Sequence, residues 1–163
     1  MNKADAIRAG VSTPLFLLSP DRRDDLSAVA ARGGWRVVAA DDGADVERRF
    51  LGSGAAVALI DARGAVPAAL AATKELGETV AANGAALIVL IDTPNASALA
   101  SLFDAGATHF LIEPFGDDQL IQALRFAGRH ADRIGAVRQS PAAVGDNSLS
   151  PAAARRWLDR ALS

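Results

Sequence analysis

The chain has 163 residues, half of them apolar and 22% charged, a balance that supports one domain with a buried core and argues against disorder. Net charge is −2 with acids and bases interspersed, and there is no cysteine, no zinc spacing and no basic stripe; this excludes disulfide frameworks and thiolate chemistry and sets nucleic-acid binding low. No run approaches the ~20 apolar residues of a membrane span, and residues 1–14 lack the apolar stretch of a signal peptide, so a cytoplasmic protein is expected.

Residues 1–13 read as a tail. Four apolar runs follow, Leu15–Leu18, Val37–Ala40, Ala56–Ile60 and Leu87–Ile91, with a more mixed fifth at His109–Ile112. They are near-continuously hydrophobic, as strands covered on both faces are. Ser19-Pro20-Asp21 opens a helix, with a hydroxyl N-cap, a proline in the first turn and an acid at the positive end of the dipole. That helix runs through Leu26, Val29 and Ala30 to Gly33-Gly34. Ala44–Leu51, Pro67–Ala82, Ala96–Ala105 and Asp117–Ala131 are predicted helices too, with Gly52, Gly84 and Gly106 at helix ends.

This alternation predicts an α/β fold with a parallel sheet, right-handed crossovers and helices on both faces. The crevice of such a sheet lies beyond the carboxyl ends of its strands. The candidate positions are therefore Ser19 to Asp21, Asp61 to Gly64, Asp92 to Asn95, and Glu113-Pro114. Gly52-Ser53-Gly54 precedes a strand and is no dinucleotide fingerprint. His109 and His130 lack ligand partners at useful spacing and read as surface residues; Asp41-Asp42 reads as a solvated strand exit.

Leu120, Leu124, Ala127, Ala131 and Ile134 follow 4-3-4-3 steps, a short coiled-coil seam. Packing of the last helix on its own sheet accounts equally for Leu120 to Ala127. Residues 132–148 read as a helical extension and linker. Ser150-Pro151 then restarts a helix over 149–163, whose Trp157, Leu158, Ala161 and Leu162 form an apolar face. So short a helix is marginal alone and needs the domain body, a second copy or a further domain to cover it.

The stretch Asp104 to Phe115, DAGATHFLIEPF, resembles the "GAxxYLxKPF" corner of response-regulator receiver domains. VVAADDG from Val37 and VALID ending at Asp61 are similar to the second and third receiver strands, and Glu113 lies 52 positions after Asp61, close to the family's acceptor-to-lysine spacing. The likeness covers residues 14–131. It implies a flavodoxin-like (CheY-like), doubly wound, five-stranded sheet in the order 2-1-3-4-5, and a non-enzymatic switch module that takes a phosphoryl group from a histidine kinase. The chemistry needs an exposed carboxylate at the strand exit, hard oxygen ligands for Mg²⁺, a lysine, and a hydroxyl whose movement an aromatic residue follows.

Asp61 stands at the phosphoacceptor position and Phe110 at the switch-aromatic position. Elsewhere the pocket is degenerate. The acidic pair after the first strand is Ser19-Pro20, with Asp21 one position late. The lysine is Glu113, and the hydroxyl position reads Ile91-Asp92, with Thr93 one residue further on. A carboxylate near Asp61 repels a phosphoryl group, at a cost on the order of several kcal/mol for like charges a few Å apart. The expectation is that a basic side chain refills the pocket: Arg63 first, with Arg22 or Arg23 as alternatives, pairing with Asp61 or Glu113 and locking one conformation. No cofactor or metal is expected, with Mg²⁺ required only if Asp61 is still phosphorylated.

The segment from Asn147 to Leu158 looks like a degenerate opening of a GGDEF (diguanylate cyclase) domain, "DxLTGLxNRRxF", with Leu149, Ser150, Arg155, Arg156 and Leu158 in register. That resemblance implies a regulatory pseudo-receiver attached to an output domain in cyclic-di-GMP signalling. Receivers commonly pair through helix 4, strand 5 and helix 5, here Ser97–Ala105, Phe110–Ile112 and Gln119–Arg129, so a homodimer is expected. The alternatives are an active receiver phosphorylated on Asp61 and a small-ligand-binding flavodoxin-like module.

Overall fold

A computed structural model describes residues 12–139. In chain order the elements are β1 (Thr13–Leu18), α1 (Arg23–Arg32), β2 (Trp35–Ala40), α2 (Val46–Ser53), β3 (Val57–Asp61), α3 (Val66–Ala82) and β4 (Ala86–Asp92). A 3₁₀ turn (Thr93–Ala98) then runs into α4 (Leu99–Ala105), followed by β5 (His109–Glu113) and α5 (Asp117–Gln139). The five strands are parallel, in the order β2-β1-β3-β4-β5. This is the flavodoxin-like α/β architecture expected from the sequence.

The period-2 alternation of a strand sends successive side chains to opposite faces, and here both faces are apolar. Leu15, Leu17, Val57, Leu59, Ile88 and Leu90 pack beneath α1 and α5, against Leu26, Val29, Leu120 and Leu124. Phe16, Leu18, Ala58, Ile60, Val89 and Ile91 pack beneath α2, α3 and α4, against Val46, Phe50, Leu76, Val80 and Leu102. Each fully buried aliphatic side chain contributes about 1.5–3 kcal/mol, which is why the apolar runs were nearly unbroken in the sequence. The register sets the strand exits side by side, with Leu18 opposite Ile60, Asp61 opposite Leu90 and Asp92 opposite Glu113.

Four expectations need correction. The first helix begins at Arg23, not at Ser19, because the Ser19 hydroxyl turns inward; it still accepts the Arg22 N–H at 3.1 Å. The second helix continues through Gly52 to Ser53, and Gly54, at φ 70°, ends it in the left-handed region that glycine tolerates. The fourth helix is split, since Thr93–Ala98 winds as 3₁₀ before α4 begins at Leu99. The proposed coiled-coil seam is spent inside the domain, because Leu120, Leu124, Ala127 and Ala131 are buried on the α1–α5 side of the sheet. The restarted helix over 149–163 lies outside the described residues.

Helices α3 and α4 approach closely at a pair of glycines. A Cβ on Gly77 would sit 2.2 Å from the Ala105 carbonyl oxygen, and one on Gly106 would sit 2.5 Å from the Gly77 Cα. Neither neighbour is a side chain that can swing away. Gly77→Ala is expected to cost about 1–3 kcal/mol through forced separation of the two helices. Gly52→Ala in α2, where a Cβ meets nothing within 4 Å, should instead stabilise by about 0.4–1 kcal/mol. Paired urea unfolding curves check both signs.

Candidate functional site

The site forms where β1, β3 and β5 end. Asp61 closes β3 and is 3% exposed. Its carboxylate accepts four hydrogen bonds. Oδ1 takes the Arg63 backbone N–H at 3.1 Å and Arg63 Nε at 2.8 Å; Oδ2 takes Arg63 Nη2 and the Ser19 hydroxyl, each at 3.2 Å. The bond to the Arg63 backbone is an Asx turn, the local preference of aspartate at a chain reversal. Gly64 follows at φ 72°, and Ala65 N–H bonds to Ala62 O at 3.1 Å, so the chain folds back toward α3 at once.

That tight turn lays the guanidinium over the end of the sheet. Nη1 of Arg63 reaches Glu113 Oε2, at the end of β5, at 3.1 Å, and the guanidinium carbon lies 5.1 Å from the centre of the Phe115 ring. The Arg63 side chain is 10% exposed. Arg22 adds a second, more exposed contact to the same Glu113 oxygen at 3.3 Å. Two carboxylates thus face two guanidinium groups, and the cluster sums to zero charge. Burial lowers the Arg63 pKa, but hydrogen bonds and charge from Asp61, then from Glu113, outweigh it and hold the value above the ordinary one.

The structure therefore brings Ser19, Asp61, Arg63, Glu113 and Arg22 together, and directs the other candidates elsewhere. Pro20 and Asp21 line a separate polar pocket of ≈ 280 Å³ with Asp24, Asp25 and Asp41. Arg23 is directed to Asp24 and Asp41 and takes no part in refilling the site. The Asp92 carboxylate is held at both oxygens by Asn95 Nδ2, at 3.0 and 2.9 Å, and the Thr93 hydroxyl donates to the Glu113 carbonyl at 2.6 Å. Phe110, at the switch-aromatic position, is 46% exposed and meets Phe103 edge-on at 5.6 Å. His109 and His130 are not lone residues, since their rings lie 5.2 Å apart.

Sequence reasoning placed Ser19 and Arg22 among the candidates without their partners, and missed Phe115. Ser19 was read both as a helix cap and as the stand-in for the first-strand acid, and its hydroxyl donates to Asp61. Phe115 belongs to the "PF" corner and was not connected with a cation. Arg22 was an alternative to Arg63 and instead acts beside it.

The receiver likeness implies Mg²⁺, and the donor set here does not fit it. Every Asp61 oxygen is engaged, the first-strand acidic pair is Ser19-Pro20, and Asp21 is exposed in another pocket. Among the described residues no cluster of three or more metal-ligating side chains occurs. Within the same residues no helix is long and apolar enough to cross a membrane.

No family model and no curated protein matches the chain. Solved structures do. A response regulator receiver domain protein from Clostridium thermocellum superposes with a TM-score of 0.65 at 14% identity, over 75% of this chain and 98% of that one. The signal receiver domain of an HD domain-containing protein from Pseudomonas fluorescens Pf-5 gives 0.64 at 15% identity, again over 75% and 98%. NtrX from Brucella abortus, solved with ADP, gives 0.62 at 17% identity, over 78% of this chain but 28% of that longer one. The chain has the CheY-like fold of receiver domains.

Removing the cation tests what the cluster contributes. Arg63→Ala leaves a buried carboxylate beside Glu113 without its fork, and should destabilise by about 3–5 kcal/mol. Asp61→Asn combined with Arg63→Met removes both charges and should recover most of that loss. A double-mutant cycle from urea denaturation reads the coupling, and an Arg63→Ala chain as stable as the wild type would sink the locking role.

Proposed function

We propose that the chain is a regulatory pseudo-receiver, a module that works through protein contacts and performs no phosphoryl transfer of its own. The observation that carries this reading is the Arg63 fork on Asp61. A phosphoacceptor carboxylate has to present a free oxygen in line with the incoming phosphorus. Both Asp61 oxygens are already committed, and the buried guanidinium covers them. Glu113 adds a negative charge where an arriving phosphoryl dianion needs a positive one. An active receiver phosphorylated on Asp61 would require Arg63 to leave both carboxylates, and of the ion pairs to Asp61 and Glu113 among the described residues only that of the half-exposed Arg22 would then remain.

Output would run through a second copy of the chain. Beside the open edge of β5 lies a groove of ≈ 730 Å³ lined by Phe103, Phe110, Leu111 and Phe126, with Asp118 and Arg125 on its α5 wall. Phe126 is 67% exposed. A two-fold axis across this face sets each Asp118 toward the other copy's Arg125, two helical turns along an antiparallel α5, so the surface is self-complementary in charge as an isologous contact requires. Pairing would bring two attached output domains together. The cyclase-like segment at 149–163, which lies outside the described residues, supports cyclic-di-GMP signalling as the setting, and the greater length of NtrX supports the presence of an attached partner domain.

Beryllofluoride with Mg²⁺ mimics the phosphoryl group and separates the two receiver readings. Titrated into the isotope-labelled chain, it should leave the amide signals of Asp61, Asp92 and Phe110 unmoved. Saturable shifts at those positions, lost in Asp61→Asn, would establish the active receiver instead.

A further inference from the structure

The dimer face holds a titratable pair to which the reading above gives no role. His109 opens β5 and His130 lies on α5, with ring centroids 5.2 Å apart and planes at 76°. Phe126 stands edge-on to His109 at 5.7 Å and forms part of the groove wall, as His109 does. His109 therefore stands against the most exposed aromatic of the proposed contact, and His130 stands against His109.

The surroundings are poor hosts for a positive charge. Strand β4 presents Ile88 opposite His109, α4 presents Phe103 to the groove, and the 3₁₀ turn carries no charged residue. On α5, Arg125 and Arg129 line the same groove, with Asp118 at its other end; Asp132 and Arg133 follow within one turn of His130. The one hydrogen bond of His109 does not oppose protonation. Its Nδ1 lies 2.7 Å from Thr108 Oγ1, which can accept from a protonated ring and turn its own hydrogen to Leu87 O at 3.2 Å. The opposition is electrostatic. Burial first, and the neighbouring His130 second, push the His109 pKa below the ordinary imidazole value.

We propose that this face pairs with a second copy while His109 and His130 are neutral, and that acidification separates the copies. The inference rests on the reading of the β5–α5 groove as the dimer contact. Protonation adds cations to a surface that already carries Arg125 and Arg129, and two-fold symmetry doubles every added charge across the interface. Burying His109 against a second copy deepens the desolvation that already disfavours its charged form. The dimer then binds fewer protons than the separated chains, so association is strongest above the His109 pKa of the separated chain, itself below the ordinary imidazole value, and weakens as pH falls through it.

Sedimentation equilibrium of the 163-residue chain at pH 7.5 and 5.5 tests this, with circular dichroism confirming the fold at both. The dissociation constant should rise at least about tenfold on acidification, since release of protons on pairing links the two equilibria. His109→Gln with His130→Gln should flatten that dependence, bringing the ratio of the dissociation constants at the two pH values to about one. His130→Lys, which fixes a cation at a position that is already exposed, should weaken association at pH 7.5 without any acid. A dimer whose affinity is the same at both pH values, or whose pH dependence survives in the double glutamine variant, overturns the switch and leaves the dimer face standing. A chain that is monomeric at pH 7.5 at all accessible concentrations overturns the dimer face and the switch with it.

Discussion

A carboxylate at the end of a strand buried on both faces has to be neutralised, and in this molecule one guanidinium does it. The parallel register carries Glu113 to the same edge of the sheet as Asp61, two strands away. Left without a cation, the two carboxylates would repel across that end of the sheet, in a domain whose whole stability is on the order of 5–15 kcal/mol. Arg63 converts that repulsion into two attractions through three of its nitrogens at once. The Ala62–Ala65 turn, the Ser19 hydroxyl and the Phe115 ring are all arranged around it.

The choice of arginine matters because the work is geometric. A lysine ammonium donates from a single point and could satisfy one carboxylate oxygen strongly but not three in a plane. The guanidinium spans Asp61 side-on with Nε and Nη2 and leaves Nη1 for Glu113, while its flat face lies against Phe115. In the receiver pattern the cation reaches in from the end of the fifth strand, away from the acceptor's own turn. Here the sign at that strand end is inverted, and the cation comes from two residues after the carboxylate, held there by the carboxylate's own Asx turn. The same four groups that make the site electrically neutral also make it closed.

The strands were legible because burial on both faces leaves a continuous apolar run, and the order of the sheet followed from the receiver resemblance. The Arg63 pairing was legible for a different reason: an uncompensated Asp61–Glu113 pair is too costly to leave, and few cations lie near in sequence. What could not be read depends on tertiary placement. The 4-3-4-3 spacing of Leu120 to Ala131 is the same whether the partner is another helix or the domain's own sheet, and only the seating of α5 on β3, β4 and β5 decides it. His109 and His130 stand 21 positions apart on different elements, so their contact follows from how far α5 is rotated over β5. Ser19 satisfied a local rule for helix caps so well that its better partner, 42 residues away, went unnoticed.

Strand β5 joins the two parts of the molecule that matter. Its carboxyl end is anchored by Glu113 to Arg63 and Arg22, and by its carbonyl to the Thr93 hydroxyl. Its amino end carries His109 against His130, and between them Phe110 turns out toward Phe103. In a switching receiver a strand-end cation releases or engages a phosphoryl group, and the edge strand responds. With that end tied by ion pairs, a pseudo-receiver as proposed would hold the surface presented by β5, α4 and α5 in one form from inside. Regulation of such a module would act from the outer side, along the groove, where His109 belongs to the one residue type that ordinarily changes charge between about pH 5 and 8.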